Sequence, residues 1–446
     1  MLLEFKVSNY RSIGEEQTIS LIPAPKQREH PQNILRKGRY EALNAISFYG
    51  SNGGGKSNIL KAMSLLDKLV HISAKTPSTT RLPYDPFLLR EGWDSKPTRF
   101  EISFIIKESR YRYGLEFNAS EITQEWLFRK STGREVNLFQ REGEIIDVSS
   151  GYNGSKKIID AAIEATRNNA LFLSISDMLN IEEAKLIFKW FRNFNMRDGL
   201  NIEEDISTVS LFESKEYKEK IRNYLRSLGL GLRDVEITRK DFEESELPID
   251  LPENLRIQLA EKLKGSHSYS VYALHRTYDL NGNPTEKSFS WNFNERESAG
   301  TQKAFKLSGP VLWALVNGGI LIIDEIEAAT HPILTLTTID LFLNKESNPN
   351  NAQLIFATHD TNLLSYSTLR RDQICFAEKN EWESTEIYSL SDFVYFGEKN
   401  GEFKSEKERP DTDKEKRYFE GRYGAVPILG DFQKFIRPSQ WQKKEN

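Results

Sequence analysis

Lys56 and Ser57 close the run Gly50-Ser51-Asn52-Gly53-Gly54-Gly55-Lys56-Ser57, which satisfies G-x-x-x-x-G-K-[ST] at each fixed position. Glycines let successive backbone N–H groups turn inward onto phosphate oxygens, and a helix N-terminus behind them favours the anion. In such a loop Lys56 reaches the β- and γ-phosphates and the Ser57 hydroxyl holds Mg²⁺. The plain alternative is a flexible turn that ends by chance in Lys-Ser. The flanks speak against it. Ala45-Ile46-Ser47-Phe48-Tyr49 reads as a buried strand, and Asn58 to Leu66 has helical spacing.

A second group of residues could complete the chemistry. Ile320-Leu321-Ile322-Ile323 suits a central parallel strand, and Asp324 and Glu325 end it. Acids at the carboxyl end of such a strand lie where open α/β sheets bind ligands. Asp324 is placed to hold Mg²⁺, directly or through water, and Glu325 to polarise the water that attacks the γ-phosphate. Gln353 to Ala357 is another buried strand, followed by Thr358-His359, which makes His359 a candidate sensor of the γ-phosphate. Between the two halves, Ser298 is a fair helix N-cap, and with Gly300 it forms an anion site at a helix start. The helix Thr301 to Val316 should kink or break at Pro310.

The elements that must position these residues fall in a clear order. Leu2 to Val7 and Glu16 to Ile22 read as strands around a turn at Asn9-Tyr10-Arg11-Ser12, and Pro23 to Tyr40 as a loop. By itself Arg11 reads as a surface arginine in that turn. Thr98 to Ile106, Tyr111 to Phe117 and Gln124 to Phe128 alternate like an antiparallel meander, with Tyr111 and Tyr113 on one packed face. Residues 155–265 carry helical periods, and Ser268 to Thr277 and Ser288 to Phe293 return to strand. The charged stretch Glu402 to Arg417 reads as a solvated linker.

Bulk composition narrows the class. A chain of 446 residues with 38% hydrophobic and 28% charged residues is an ordinary soluble protein, large enough for more than one lobe. Its net charge of −4 argues against a surface given over wholly to nucleic acid. Cys375 is the single cysteine, which excludes an intrachain disulfide and suits a reducing compartment. The absence of a signal-peptide core and of any apolar run near ~18 residues sets the expectation of a cytoplasmic protein with no membrane partner.

In this order the segments resemble the ABC-type ATPases of the SMC and RecF kind. The long interval between Lys56 and Asp324 implies a head split by an insertion. The implied fold is α/β: an antiparallel N-terminal sheet plus a mostly parallel core sheet flanked by helices, with residues 1–154 as the first lobe, 155–265 as a mostly helical insertion and 266–446 as the second lobe. The resemblance implies ATP and Mg²⁺ as cofactors and Gly50 to Asn58 as the nucleotide-binding loop. It also implies slow hydrolysis with Glu325 and His359 as catalytic residues. It implies a homodimer or higher homo-oligomer in which Ser298 and Gly300 contact the ATP of a second subunit. Asn9 and Arg11 match the family's Asn-[Phe/Tyr]-Arg, whose arginine approaches the phosphates.

Arg371 to Ile374, Ser389 to Phe393 and Tyr418 to Pro427 further resemble the bacterial anti-phage ATPases RloA and AbiLi, with AriA of the PARIS system a related case. That resemblance implies a sensor or regulatory ATPase beside a TOPRIM-type or RloB-like effector. The alternatives are an SMC/RecF-like ATPase that binds DNA in repair and a scaffold that binds nucleotide without hydrolysing it. No long heptad run is present, so an SMC-length coiled coil is not expected.

Overall fold

The computed structural model describes residues 1–198, 206–247, 251–265, 267–366, 368–399, 402–407, 409 and 412–426. The chain opens with β1 (Leu2–Ser8) and β2 (Gln17–Ser20), then a hairpin of β3 (Ile34–Lys37) and β4 (Tyr40–Leu43). β5 (Ala45–Tyr49) leads through the glycine loop into α1 (Lys56–Ile72). The expected meander follows as β6 (Thr98–Ile106), β7 (Ser109–Phe117) and β8 (Ile122–Lys130), extended by β9 (Val136–Glu142) and β10 (Ile145–Val148). These strands form an antiparallel sheet in the order β10-β9-β8-β7-β6-β1-β2. Tyr111 and Tyr113 are buried on its inner face, as packing residues.

Next come α2 (Lys156–Ala165), α3 (Phe172–Met178), α4 (Glu182–Phe191) and β11 (Phe194–Asp198). α5 (Ile206–Glu213), α6 (Lys215–Ser227), β12 (Asp234–Asp241) and α7 (Glu253–Leu263) complete the middle of the chain. The interval 155–265, expected as a mostly helical insertion, holds both helices and strands among its described residues. Ile159, Phe172, Ile187, Trp190 and Phe191 pack in the same core as the α1 residues Leu60, Met63 and Leu66, and β11 lies in the core sheet beside the strand that ends in Asp324. Residues 156–198 are therefore built into the head. Periodicity shows that such a segment has an apolar face, but not which surface that face covers. α5 and α6 pack on the helix that follows Ser298, and β12 joins a small three-stranded sheet.

That sheet contains β13 (His267–Tyr278) and β14 (Pro284–Asn292), and a short α8 (Phe293–Arg296) leads to α9 (Ala299–Asn317). α9 runs through Pro310, where a kink or break was expected. The carbonyl of Lys306, four residues earlier, loses its normal donor to the proline ring. The Thr208 hydroxyl replaces it, donating to Lys306 O at 2.7 Å, and Thr208 Oγ1 in turn accepts from Gly309 N at 3.3 Å.

The remaining elements are β15 (Ile320–Asp324), α10 (Pro332–Leu343), β16 (Gln353–Ala357), α11 (Asn362–Ser365), β17 (Ile374–Lys379), β18 (Thr385–Ser389), the hairpin β19 (Val394–Lys399) and β20 (Glu402–Lys407), and α12 (Lys414–Phe419). Part of the stretch expected as a linker is thus strand and helix, and Tyr418 of α12 stacks on Phe376 at 5.7 Å. Pro427 lies outside the described residues.

The core sheet has the order β11-β15-β16-β5-β17-β18, parallel except for β18. Its two faces feed two cores. Ile46, Phe48, Ile322 and Ile355 face α1 and the α2–α4 helices; Tyr49, Leu321, Ile323 and Phe356 face α9 and α10. Gln353 ties the sheets together: its carboxamide accepts from Leu2 N at 2.6 Å and donates to Leu2 O and Leu43 O, both at 3.0 Å. Among the described residues no helix is long and apolar enough to cross a membrane.

Candidate functional site: a phosphate-loop cavity at the carboxyl edge of the core sheet

The strand order brings the chemistry together. β16 lies between β15 and β5, so the residues after all three strands emerge side by side. Ser51, Asn52, Gly53, Gly55, Lys56, Ser57, Asn58, Glu325 and His359 line one cavity of about 360 Å³. Asp324 is the last residue of β15, at its edge.

The loop is held by β17 and β18 behind it. A Cβ on Gly50 would lie 2.2 Å from Ala377 O, and one on Gly55 would lie 2.0 Å from Thr385 Oγ1. Gly55 also has φ +107°, so only glycine serves at that point. It is the N-cap of α1 and offers no side-chain acceptor. The N–H groups of Gly53, Gly55, Lys56 and Ser57 consequently have no acceptor among the described residues. Unspent donors at the positive end of a helix make a nest for an anion.

Lys56 is buried and donates back to Gly50 O at 2.7 Å and Ser51 O at 3.1 Å. Burial lowers its pKa to about 8, against the opposing pull of Asp324, Glu327 and Glu325. Asp324 is 7% exposed, and its buried Oδ1 has no hydrogen-bond partner among the described residues. A buried carboxylate oxygen without a donor is the kind of group a cation satisfies, and with the Ser57 hydroxyl it offers the hard oxygen ligands that Mg²⁺ prefers. Ser57 and Asp324 could therefore hold the metal.

Glu325 sits at φ +50°, a left-handed conformation uncommon for a non-glycine residue. The following turn is fastened from α9. Lys303 Nζ donates to Glu325 O at 3.3 Å, Ile326 O at 3.0 Å and Ala328 O at 2.6 Å. His359 is exposed at the cavity mouth, and its pKa is lowered by partial removal from water and by the Lys56 charge. The Glu327 carboxylate accepts from Thr358 Oγ1 at 2.7 Å and from His359 N at 2.6 Å.

The remaining expected residues lie apart from the cavity lining. The Asn9 side chain is buried and fully used: Nδ2 donates to Trp93 O and Lys96 O, and Oδ1 accepts from Phe87 N. Asn9 thus builds the loop 87–97. Arg11 is exposed and pairs with Asp85 at 2.9 Å, over the Tyr10 ring. Its neighbour Ser12 makes the link to the loop instead, accepting from Asn58 Nδ2 at 2.7 Å and meeting Thr385 Oγ1 at 2.8 Å. Ser298 caps α9, accepting from Thr301 N at 3.1 Å, and Gly300 abuts Ala329 O. Neither lines the cavity.

Sequence reasoning missed Ser12, Thr385 and Glu327. A hydroxyl in a turn and another in a strand carry no spacing signal. Glu327 was in plain view two residues after Glu325, and its purpose depends on the neighbouring strand.

A buried lysine in an open amide nest, facing two acids and a histidine across parallel strand ends, defines a P-loop ATPase. Residues 46–365 match the family described as "AAA domain, putative AbiEii toxin, Type IV TA system", and the chain belongs to it. Comparison with curated protein sequences returns no match. Among solved structures the chain is similar to the SMC head domain from Thermotoga maritima, at 11% identity and TM-score 0.39, over 87% of this chain and 98% of that one. It is also similar to the recombination mediator protein RecF-ATPrS of the RecFOR pathway, at 14% identity and TM-score 0.31, over 87% and 98% of the two chains. The RecF-ATP structure matches at 14% identity and TM-score 0.29, over 81% and 94%.

Proposed function

We propose that the protein is an ABC-type ATPase head that closes on a second copy of itself around ATP. The observation that carries this reading is the division of the site. The loop, Glu325 and His359 share one cavity, whereas Ser298 and Gly300 stand at a separate helix start outside it. In the closed dimer that helix start caps the nucleotide of the other subunit. Ser57 and Asp324 would hold Mg²⁺, which would supply charge neutralisation at the phosphates. Lys56 and the open amides bind and orient the phosphates, Glu325 accepts the proton of the attacking water, and His359 contacts the γ-phosphate. Asn58 holds the loop through Ser12, and Arg11 reaches the phosphates only on leaving Asp85.

The dimer would serve as the regulatory ATPase of an anti-phage system, acting on a TOPRIM-type or RloB-like effector in the cytoplasm. Support comes from the family's description and from the sequence segments Arg371 to Ile374, Ser389 to Phe393 and Tyr418 to Pro427. The test is Glu325→Gln. It should lower phosphate release about 10²- to 10³-fold, retain ATP binding, and accumulate an ATP-dependent dimer in analytical ultracentrifugation. Wild-type turnover in this variant would remove Glu325 from its role, and a monomer with ATP bound would remove the shared site. DNA binding that falls steeply with salt would favour the repair ATPase instead.

A further inference from the structure

Glu327 is a charged residue beside the site that the mechanism above does not use. We propose that it is the positioning residue for His359 in the ATPase cycle, an inference that rests on the hydrolytic reading just given. Its two carboxylate oxygens grip two consecutive residues, Thr358 through the hydroxyl at 2.7 Å and His359 through the backbone N–H at 2.6 Å.

The grip stands where the sheet stops helping. β15 and β16 run in register up to Ile323 and Phe356. Just beyond, Ile326 N still reaches Ala357 O at 3.2 Å and Thr358 N reaches Phe48 O at 3.1 Å. After Thr358 the chain leaves the ladder for a short helix, and His359 is exposed. The Glu327 carboxylate extends the strand-to-strand connection by one residue and sets the backbone from which the imidazole projects. Hydrogen bonds to an ionised acceptor are among the stronger ones, and a backbone N–H leaves little freedom for the residue that carries it.

The turn that carries Glu327 is itself tied to α9. Lys303 Nζ bonds the carbonyls of Ile326 and Ala328, the residues on either side of it. A continuous path therefore runs from the helix that Ser298 caps, through Lys303 and Glu327, to His359 at the cavity mouth. Movement of α9 on meeting a second copy would reach His359 by this path.

The test measures steady-state ATP hydrolysis for Glu327→Ala, Glu327→Gln, His359→Ala and the double variant Glu327→Ala/His359→Ala, with Tm for each. Glu327→Ala should lower kcat about 10-fold or more while changing KM less than about 3-fold. The double variant should be no slower than His359→Ala alone within about 2-fold, since a residue acting through another loses its effect once that other is gone. Glu327→Gln keeps one oxygen for the His359 N–H and should recover most of the loss. Losses that multiply in the double variant would overturn the proposal. Hydrogen exchange over residues 353–366 separates this from the hydrolytic reading. Faster exchange in Glu327→Ala shows the grip even if the wild type releases no phosphate, and unchanged exchange overturns the grip whatever the turnover. If Glu327→Ala fails to fold, Thr358→Val, which removes the hydroxyl half of the grip, carries the same comparison alone and with His359→Ala.

Discussion

α1 and α9 both begin at the carboxyl side of the core, and they end their first turns in opposite ways. α1 starts at Gly55, has no side-chain cap and leaves its first N–H groups open. α9 starts at Ser298, whose hydroxyl is already accepting from Thr301 N. An open helix start surrounded by Lys56, Glu325 and His359 gathers the phosphate-loop side of the site within one chain. A capped start that faces no other part of this site is either a plain helix cap or half of a contact made elsewhere. The contrast teaches that helix starts with phosphate-binding sequences are not equivalent: no side chain caps the first turn of α1, whereas Ser298 already takes the Thr301 N–H at α9, and donors left open are what bind an anion.

Experiments that separate the two helix starts sharpen this comparison. The largest effect is expected at α1. Lys56→Ala should weaken ATP binding roughly 10²-fold and abolish hydrolysis, because a buried charge-assisted contact is lost. Ser298→Arg should leave ATP binding to the separate chain intact and abolish only turnover. Mixing the two inactive variants should restore roughly a quarter of wild-type phosphate release, since half of randomly paired two-fold dimers are hybrids with one intact site. No recovery would mean that α9 is only a capped helix.

A smaller effect is expected from pH. In the nucleotide-free protein Lys56 loses its proton as pH rises through about 8, against 10.5 in the unfolded chain. ATP affinity should fall above pH 8, and binding at pH 9 should take up a proton, read by calorimetry in buffers of different ionisation enthalpy. The sign for stability is opposite. Between pH 8 and 10.5 the unfolded chain holds the extra proton, so the cost of burying this charge is progressively relieved as pH rises. The smallest effect concerns α9 alone. Thr208→Val removes the hydroxyl that donates to Lys306 O beside Pro310 and should cost about 1–2 kcal/mol, seen as a lower urea midpoint with an unchanged m value.

Much of the site was legible because it is local. The glycine loop, the strand ending in Asp324 and the strand leading to His359 are each a short run whose apolar residues and terminal groups stand next to one another in the chain. The continuity of α9 across Pro310 was not legible, because its remedy is the hydroxyl of Thr208, distant in sequence. Nor was the use of Asn9, whose motif position suggests a ligand contact while its buried amide holds residues 87–97. The middle of the chain shows the same limit: helical periods were plain in residues 156–191, but only packing reveals that they cover α1 and the core sheet.

The sequence by itself determined the chemistry that is available, because residue type and short spacing decide which groups can bind phosphate, metal or water. Tertiary structure decided which of those groups meet. The insertion of β16 between β15 and β5 is a long-range pairing, set by burying both faces of the sheet at once, and no local pattern encodes it. That pairing puts His359 beside Lys56, lets Glu327 reach across to it, and leaves Ser298 outside the cavity.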